Sequence, residues 1–426
     1  MHDDIKRNVR HNVAVNVLDG SFFGAATGVA SFVTVIPLFM STLTESATLI
    51  GLISAIHSVG WQLPQLLTAR RVTQLRRYKP MVLLMTINER LPFLGLALVA
   101  WFVTALGAEL ALALTFGLLI WQGLGGGMTA TAWQSMIGKI MPVNWRGTFF
   151  GVQSAAANLL ASGGAVLAGV ILTKLPYPLN YTVCFGLSSL AMFISWLFLA
   201  RTREPAYEPE ETATSMRDFW RRTGAILKRD GNFRWFLAAR IVAQAALMAT
   251  AFFTVYATQR FNMNQATAGV LTALYLVIQT IANPLMGWLG DRFSHRLLME
   301  FGALVVLLAA AGAWLAPSLG WFYLIFALAG VGNVAFWTTS MAMSLDFGTL
   351  AERPVYIGLS NTLVAPATLL APLLGGWLAD TQGYGLTFAT AAAGGFVTWL
   401  ILRLCVRDAR QRSASPHAAP LAAAAE

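Results

Sequence analysis

The chain has 426 residues, of which 11% are charged and 57% apolar. An ordinary soluble protein carries about 25% charge, and no soluble core of this length could hold so many apolar side chains. The composition therefore excludes a disordered chain and implies a polytopic membrane protein. Two cysteines (Cys184, Cys405) exclude a disulfide scaffold, and no Cys/His spacing suggests zinc. The net charge of +10 is informative only once the charges are placed.

A membrane-crossing helix needs about 20 mostly apolar residues. With that window, twelve spans are predicted near 13–38, 46–69, 80–105, 110–138, 147–173, 178–200, 234–258, 266–290, 296–316, 320–345, 355–379 and 384–405. The polar start lacks a small-residue cleavage site, so the first span is read as retained. With an even number of spans, both ends lie on one side, together with every second connection. That side collects 25 of the 29 Lys and Arg; the opposite side has Lys174 and Arg260, while Arg90 and Arg240 fall inside spans. Positive-inside asymmetry of this size puts both termini in the cytoplasm of a cell (inner) membrane, and makes nucleic acid an unexpected partner.

The only long polar connection, residues 201–233, divides the spans six and six. The expected layout is a first bundle over 1–200, a cytoplasmic linker over 201–233, a second bundle over 234–405, and a disordered Ala-rich tail over 406–426. The halves resemble each other. Arg146, Gly151 and Gly169 are spaced like Arg353, Gly358 and Gly376 at an offset of 207, and Pro64 matches Pro284 at an offset of 220. Together these indicate duplication, and parallel six-helix repeats are a transporter architecture.

At the end of span 8 the chain reads Gly287-Trp-Leu-Gly-Asp291-Arg292-Phe-Ser294-His295-Arg296. This resembles the loop motif Gly-x-x-x-Asp-Arg-x-Gly-Arg-Arg of the major facilitator superfamily, with Ser294 for the second Gly and His295 for one Arg. The resemblance covers essentially the whole chain, is of bacterial type, and points to no subfamily. It implies an all-α fold of two pseudo-symmetric six-helix bundles. The corresponding first-half loop keeps Arg70, Arg71, Arg76 and Arg77 but has no Asp. Ala371-Pro372-Leu-Leu-Gly375-Gly376 in span 11 resembles an element that drug antiporters of the family carry in span 5, where this chain has Ala161-Ser162-Gly163-Gly164 without proline.

The resemblance implies that helices 1, 4, 7 and 10 line a central cavity. Asp19 on span 1 and Arg240 on span 7 then face each other across the pseudo-twofold axis. They read either as a charge pair or substrate and proton sites, or as anchors that snorkel to the interface. Glu89 on span 3 reads as a proton carrier, or with Arg90 as a structural ion pair, which the peripheral position of span 3 in the family favours. His57, Trp61 and Gln65 share one face of span 2, and Tyr275, Gln279 and Asn283 one face of span 8; both faces are read as cavity walls. Ser154, Asn158 and Ser162 share a face of span 5, read as interhelical bonding. Gln122, Thr129 and Trp133 flank Gly125-Gly126-Gly127 on span 4, a triple glycine for close packing or a bend. Gln244 on span 7, and Asn333, Trp337 and Ser340 on span 10, complete the candidate cavity, with Trp133 and Trp337 placed to bracket a substrate.

Asp291 is expected to pair with Arg146 and with the positive N-terminus of span 5, and so to gate the cytoplasmic side with Arg292 and Arg353. No Walker-type motif is present, so a secondary transporter of a small organic solute is expected, coupled to protons through Asp19 or Glu89. The alternatives are efflux of amphipathic compounds, or a non-transporting sensor or assembly protein on a transporter fold. No catalytic residues, metal or cofactor are expected; the expected partners are a small molecule, the lipid bilayer and protons, and the expected state is a monomer.

Overall fold

A computed structural model describes residues 2–206 and 215–408. The tail expected to be disordered lies, from 409 on, outside the described residues. Helices occupy all twelve predicted places. Span 1 is His2–Val29 continued by Val35–Ser41, and span 2 is Ala47–Gln62 followed by Gln65–Val72. The break in span 2 falls at Leu63-Pro64, where the proline ring removes a backbone donor. Span 3 comprises Lys79–Met85, Ile87–Trp101 and Val103–Leu106; spans 4, 5 and 6 are Ala108–Ile140, Arg146–Lys174 and Leu179–Leu199. Span 7 is Gly231–Leu247 and Phe253–Phe261 around a 3-10 turn, and spans 8 and 9 are Gln265–Arg292 and His295–Leu315. Span 10 is Trp321–Val334 and Ser340–Ser344 around a π-helical turn, Ala335–Thr339. Spans 11 and 12 are Arg353–Thr362 with Ala365–Gln382, and Tyr384–Leu404. Among the described residues, ten helical stretches are long and apolar enough to cross a membrane; spans 1 and 2, which hold more polar groups and breaks, are not among them.

The connection between the halves is not simply polar chain. It contains a helix, Met216–Arg229, capped by the Ser215 hydroxyl on the Asp218 N–H. Phe219, Thr223 and Ile226 recur at helical spacing and are buried, whereas Arg221 points outward. Phe219 and Ile226 pack with Leu66 and Ala69 of span 2 and Val355 of span 11, so the helix bridges the halves.

Helix contacts rely on small residues, because lipid offers no hydrophobic drive for one helix to leave it for another. Gly24 and Gly28 of span 1 lie against the backbone of Ala157 and Ala161 of span 5, where a β-carbon would collide. The triple glycine of span 4 serves packing without a bend: Gly125 meets the backbone of Asn88 and Glu89, and Gly127 meets Gly60 and Pro64, while the helix runs unbroken.

Among the described residues, the start of span 1, both ends of the connection and the end of span 12 share one side. Asn12 and Arg203 exchange two hydrogen bonds of 2.9 Å, and Asn232 and Arg407 exchange two of 2.9 and 2.6 Å. On that side Glu204 accepts from the Tyr78 and Lys79 N–H groups at 2.8 and 2.7 Å and pairs with Lys139 at 2.8 Å. This buried carboxylate caps the start of span 3.

Candidate functional site

The two bundles enclose a cavity of about 540 Å³. Helices 1, 4, 7 and 10 line it as the resemblance implied, and spans 2, 3, 5 and 11 contribute as well. The main correction concerns span 3. Glu89 and Arg90 are not peripheral; both line the cavity, because the glycines of span 4 let span 3 approach and leave room beside Gly126 for the Glu89 carboxyl.

Asp19 and Arg240 do not form the charge pair that their pseudo-symmetric positions raised. Asp19 Oδ1 instead accepts from Arg90 Nη2 at 2.9 Å and from the Ser195 hydroxyl at 2.6 Å. Arg90 also donates to the Met192 carbonyl at 3.3 Å and to the Thr86 hydroxyl. One guanidinium thus ties spans 1, 3 and 6 together. Removing one partner of such a buried pair typically costs about 3–5 kcal/mol, so Asp19 and Arg90 are poor candidates for free movement. Glu89 is held more loosely: its nearest cation is Arg90 at 3.9 Å, and the Thr86 hydroxyl donates at 3.4 Å.

Across the cavity, Arg240 Nη1 donates to the Ser360 carbonyl at 2.6 Å and to Asn361 Oδ1 at 3.2 Å, and Nη2 to the same Oδ1 at 3.3 Å. Asn361 in turn donates to Gln65 Oε1 at 2.8 Å, across the seam between the halves. Gln244, one turn above Arg240, lines the cavity beside Thr368, whose hydroxyl also lies 3.2 Å from Gln62 Oε1.

The aromatic wall differs in detail from expectation. Trp133 and Trp337 both line the cavity, but Trp337 has Trp61 as its ring partner, at 5.2 Å between centroids, and Trp133 meets Phe150 edge-on. Trp337 stands on the π-helical turn of span 10, a deformation frequent at functional sites. His57 lines the cavity, stacked on Phe32 at 4.0 Å, with Nδ1 3.0 Å from Gln122 Oε1. Gln122 itself stands behind His57, off the cavity surface, while Thr129, Ser154 and Asn333 are on it.

The face of span 8 is also corrected. Tyr275, Gln279 and Asn283 do not line the cavity; Asn283 instead accepts from Thr338 of span 10 and donates to the Gln279 carbonyl. Gln65 likewise belongs to the seam and not to the cavity. On span 5, Ser162 donates back to the Asn158 carbonyl, and Ser340 of span 10 back to Phe336. Residues that sequence reasoning missed are Thr86, Ser195, Gln153, Asn361 and Thr368. Each is a small polar group inside an apolar span, which is the available signal.

Below the cavity, on the side of Asn12 and Arg407, groups from both halves are in contact. Asp291 Oδ1 accepts from the Gly147 N–H at 2.9 Å and Oδ2 from the Thr148 N–H at 2.6 Å, so the carboxylate sits on the N-terminus of span 5 as expected. The Arg146 guanidinium donates to the Leu345 carbonyl at 3.3 Å and Gly138 carbonyl at 2.7 Å, and Arg353 also reaches the Gly138 carbonyl, at 3.2 Å. Arg292 lies over the Trp288 ring at 5.4 Å. His295, which replaces a motif arginine, lies between two carboxylates: Nδ1 is 2.8 Å from Asp346 and Nε2 is 3.5 Å from Asp291.

Comparison with known proteins places this architecture. The E. coli fucose:proton symporter superposes with a TM-score of 0.75 at 15% identity, over 93% of this chain and 98% of that one. Among curated relatives, the multidrug resistance protein MdtM of Escherichia coli is 29% identical over 162 residues, 37% of this chain and 39% of that protein. A probable vesicular acetylcholine transporter of Danio rerio is 29% identical over 146 residues, 34% of this chain and 30% of its own length. The chain thus matches only about a third of the length of these curated relatives. The model of the Major Facilitator Superfamily, however, matches residues 18–264 and 236–425. With its two six-helix bundles and the loop motif at Asp291, the chain belongs to the Major Facilitator Superfamily of membrane transporters.

Proposed function

We propose that the chain is a secondary active transporter that carries a small organic solute by alternating access, with the proton as coupling ion. The observation that carries this reading is the cavity between the bundles, lined by Asp19, Glu89, Arg90 and Arg240 and sealed on one side by groups from both halves. Breaking that seal while closing the opposite side moves a bound solute across the membrane. The moving bodies are the bundles over 1–200 and 234–405, joined by the 201–233 linker. Positive-inside asymmetry supports cytoplasmic termini in the cell membrane, and therefore a cytoplasmic seal. A monomer suffices, because one chain supplies all cavity walls. Collapse of the centre, which a non-transporting sensor would favour, is not what the residues build.

Glu89 is the better proton carrier of the two carboxylates. Asp19 is committed to Arg90 and Ser195, whereas Glu89 has its nearest cation at 3.9 Å and reaches the cavity. In proteoliposomes, solute flux should follow an imposed pH gradient, and Glu89→Gln should retain exchange while losing that response. Wild-type flux indifferent to the gradient would remove the proton and leave a uniporter. Efflux of amphipathic compounds is a second reading, favoured by the tryptophan-rich wall and by similarity to proteins named for multidrug and tetracycline resistance.

A further inference from the structure

We infer that the cavity binds an organic anion, a carboxylate with an apolar or ring-bearing body, on Arg240, and that the anion enters together with a proton on Glu89. This names the substrate class of the proposed transport site and rests on that reading. The first observation is the contrast between the two cavity arginines. Arg90 has a carboxylate at 2.9 Å. Arg240 has a carbonyl, an amide oxygen and the Phe236 ring at 5.9 Å, and no carboxylate of the described residues within ion-pair distance. A guanidinium has five donors and keeps its charge, so a half-buried one in a cavity wall without a carboxylate is stabilised by a ligand that supplies the missing negative charge.

The second observation is the charge count. Asp19 and Arg90 cancel as a contact pair, and His57, bonded at Nδ1 to Gln122 and stacked on Phe32, is taken as neutral, which leaves Glu89 and Arg240 as the two remaining charges among the cavity-lining residues. With Glu89 ionised these balance, and an anion gains little. With Glu89 protonated, the cavity carries one net positive charge, and a monoanion restores neutrality. Proton and anion therefore favour each other's binding, and the favour is reciprocal by linkage. A single unpaired arginine suits a carboxylate in bidentate geometry better than a phosphate dianion. Trp61, Trp133 and Trp337 supply flat apolar surface for the remainder of the molecule.

Isosteric probes test this. Purified full-length protein is titrated with benzoate and hexanoate, with their amides benzamide and hexanamide, and with benzylammonium, following tryptophan fluorescence. The acids should bind more tightly than the amides, and more tightly on acidification. Arg240→Gln should weaken the acids roughly tenfold to hundredfold, the scale of a lost charge-assisted hydrogen bond, and leave the amides unchanged. Should that variant fail to fold, Arg240→Lys decides: it keeps the charge but loses the fork, so acid affinity should fall several-fold, and unaltered acid affinity would overturn the inference. Glu89→Gln should still bind benzoate but without pH dependence. A panel in which no acid outbinds its amide, or acid binding unaltered in Arg240→Gln, overturns the inference. Acid-selective binding without any flux in proteoliposomes would instead sink the transport reading, and flux that prefers the amides would keep transport and discard the anion.

Discussion

The two corners where the bundles meet beneath the cavity are related by the internal repeat, yet they are closed by different physics. Where spans 5 and 8 meet, the Asp291 carboxylate accepts the free N–H groups of Gly147 and Thr148. At the same offsets, the corner of spans 2 and 11 has Pro354 and Val355 in place of those donors and Arg71 in place of the acid. Pro354 has no N–H to give, and Arg71 has no oxygen to receive one; its side chain is exposed. That corner closes by packing and neutral bonds instead: Gly358 lies on the backbone of Leu66, and the Leu66 N–H donates to the Thr362 hydroxyl at 3.1 Å. The missing acid and the missing donor fall on opposite sides of one contact, so their absences are mutually consistent. One corner is an electrostatic latch, and the other is a hinge-like dry seam.

The largest effect is expected from breaking the latch. Asp291→Asn keeps the shape but replaces a charged acceptor of two backbone donors. It should shift the sealed state by about 1.5–3 kcal/mol toward opening, the range for bonds to a charged group. Distances between spin labels on spans 5 and 8 at that end would report it, and an unchanged distribution would show that the latch holds nothing. Building a second latch should do less. Arg71→Asp combined with Pro354→Ala restores an acid and a donor at the quiet corner, and should favour the sealed state by about 0.5–1 kcal/mol. Slower flux with a higher melting temperature is the expected outcome; faster flux would mean that the corner cannot adopt the geometry of its counterpart. The smallest effect concerns His295. Its ring links the Asp346 and Asp291 carboxylates, at 2.8 and 3.5 Å, so losing it should loosen the seal only slightly. His295→Ala should move the label distances toward opening by less than Asp291→Asn does, and distances like those of the wild type would remove His295 from the latch.

The helical layout was legible because hydropathy and positive charge are local properties of the chain. The twelve places, the duplication and the Asp291 contact with span 5 follow from patterns a few residues long. Pairings inside the bilayer did not. Whether Asp19 meets Arg240 or Arg90 depends on the rotation of three helices, and a face such as Tyr275-Gln279-Asn283 looks the same whether it faces a cavity or a neighbour. The position of span 3 was misjudged because the room for Glu89 comes from glycines on span 4, which mark a close approach without naming the partner. The Met216–Arg229 helix was readable from Phe219, Thr223 and Ile226, but its short apolar stripe was submerged in charge. Nothing in the sequence separates Glu204 from the other linker acids, yet it is buried against Lys139.

Asn361 has one further consequence. Its carbonyl oxygen holds Arg240 in the cavity wall, while its amide nitrogen holds Gln65 of the other half. Rocking the halves apart must break the Gln65 bond, which crosses the seam, whereas the Arg240 bond lies within the second half and can persist. A ligand that takes the donors of Arg240 would free the Asn361 side chain to turn, and so would loosen its hold on Gln65. Such an arrangement would tie movement to occupancy, because one amide touches the cavity arginine with its oxygen and the opposite half with its nitrogen.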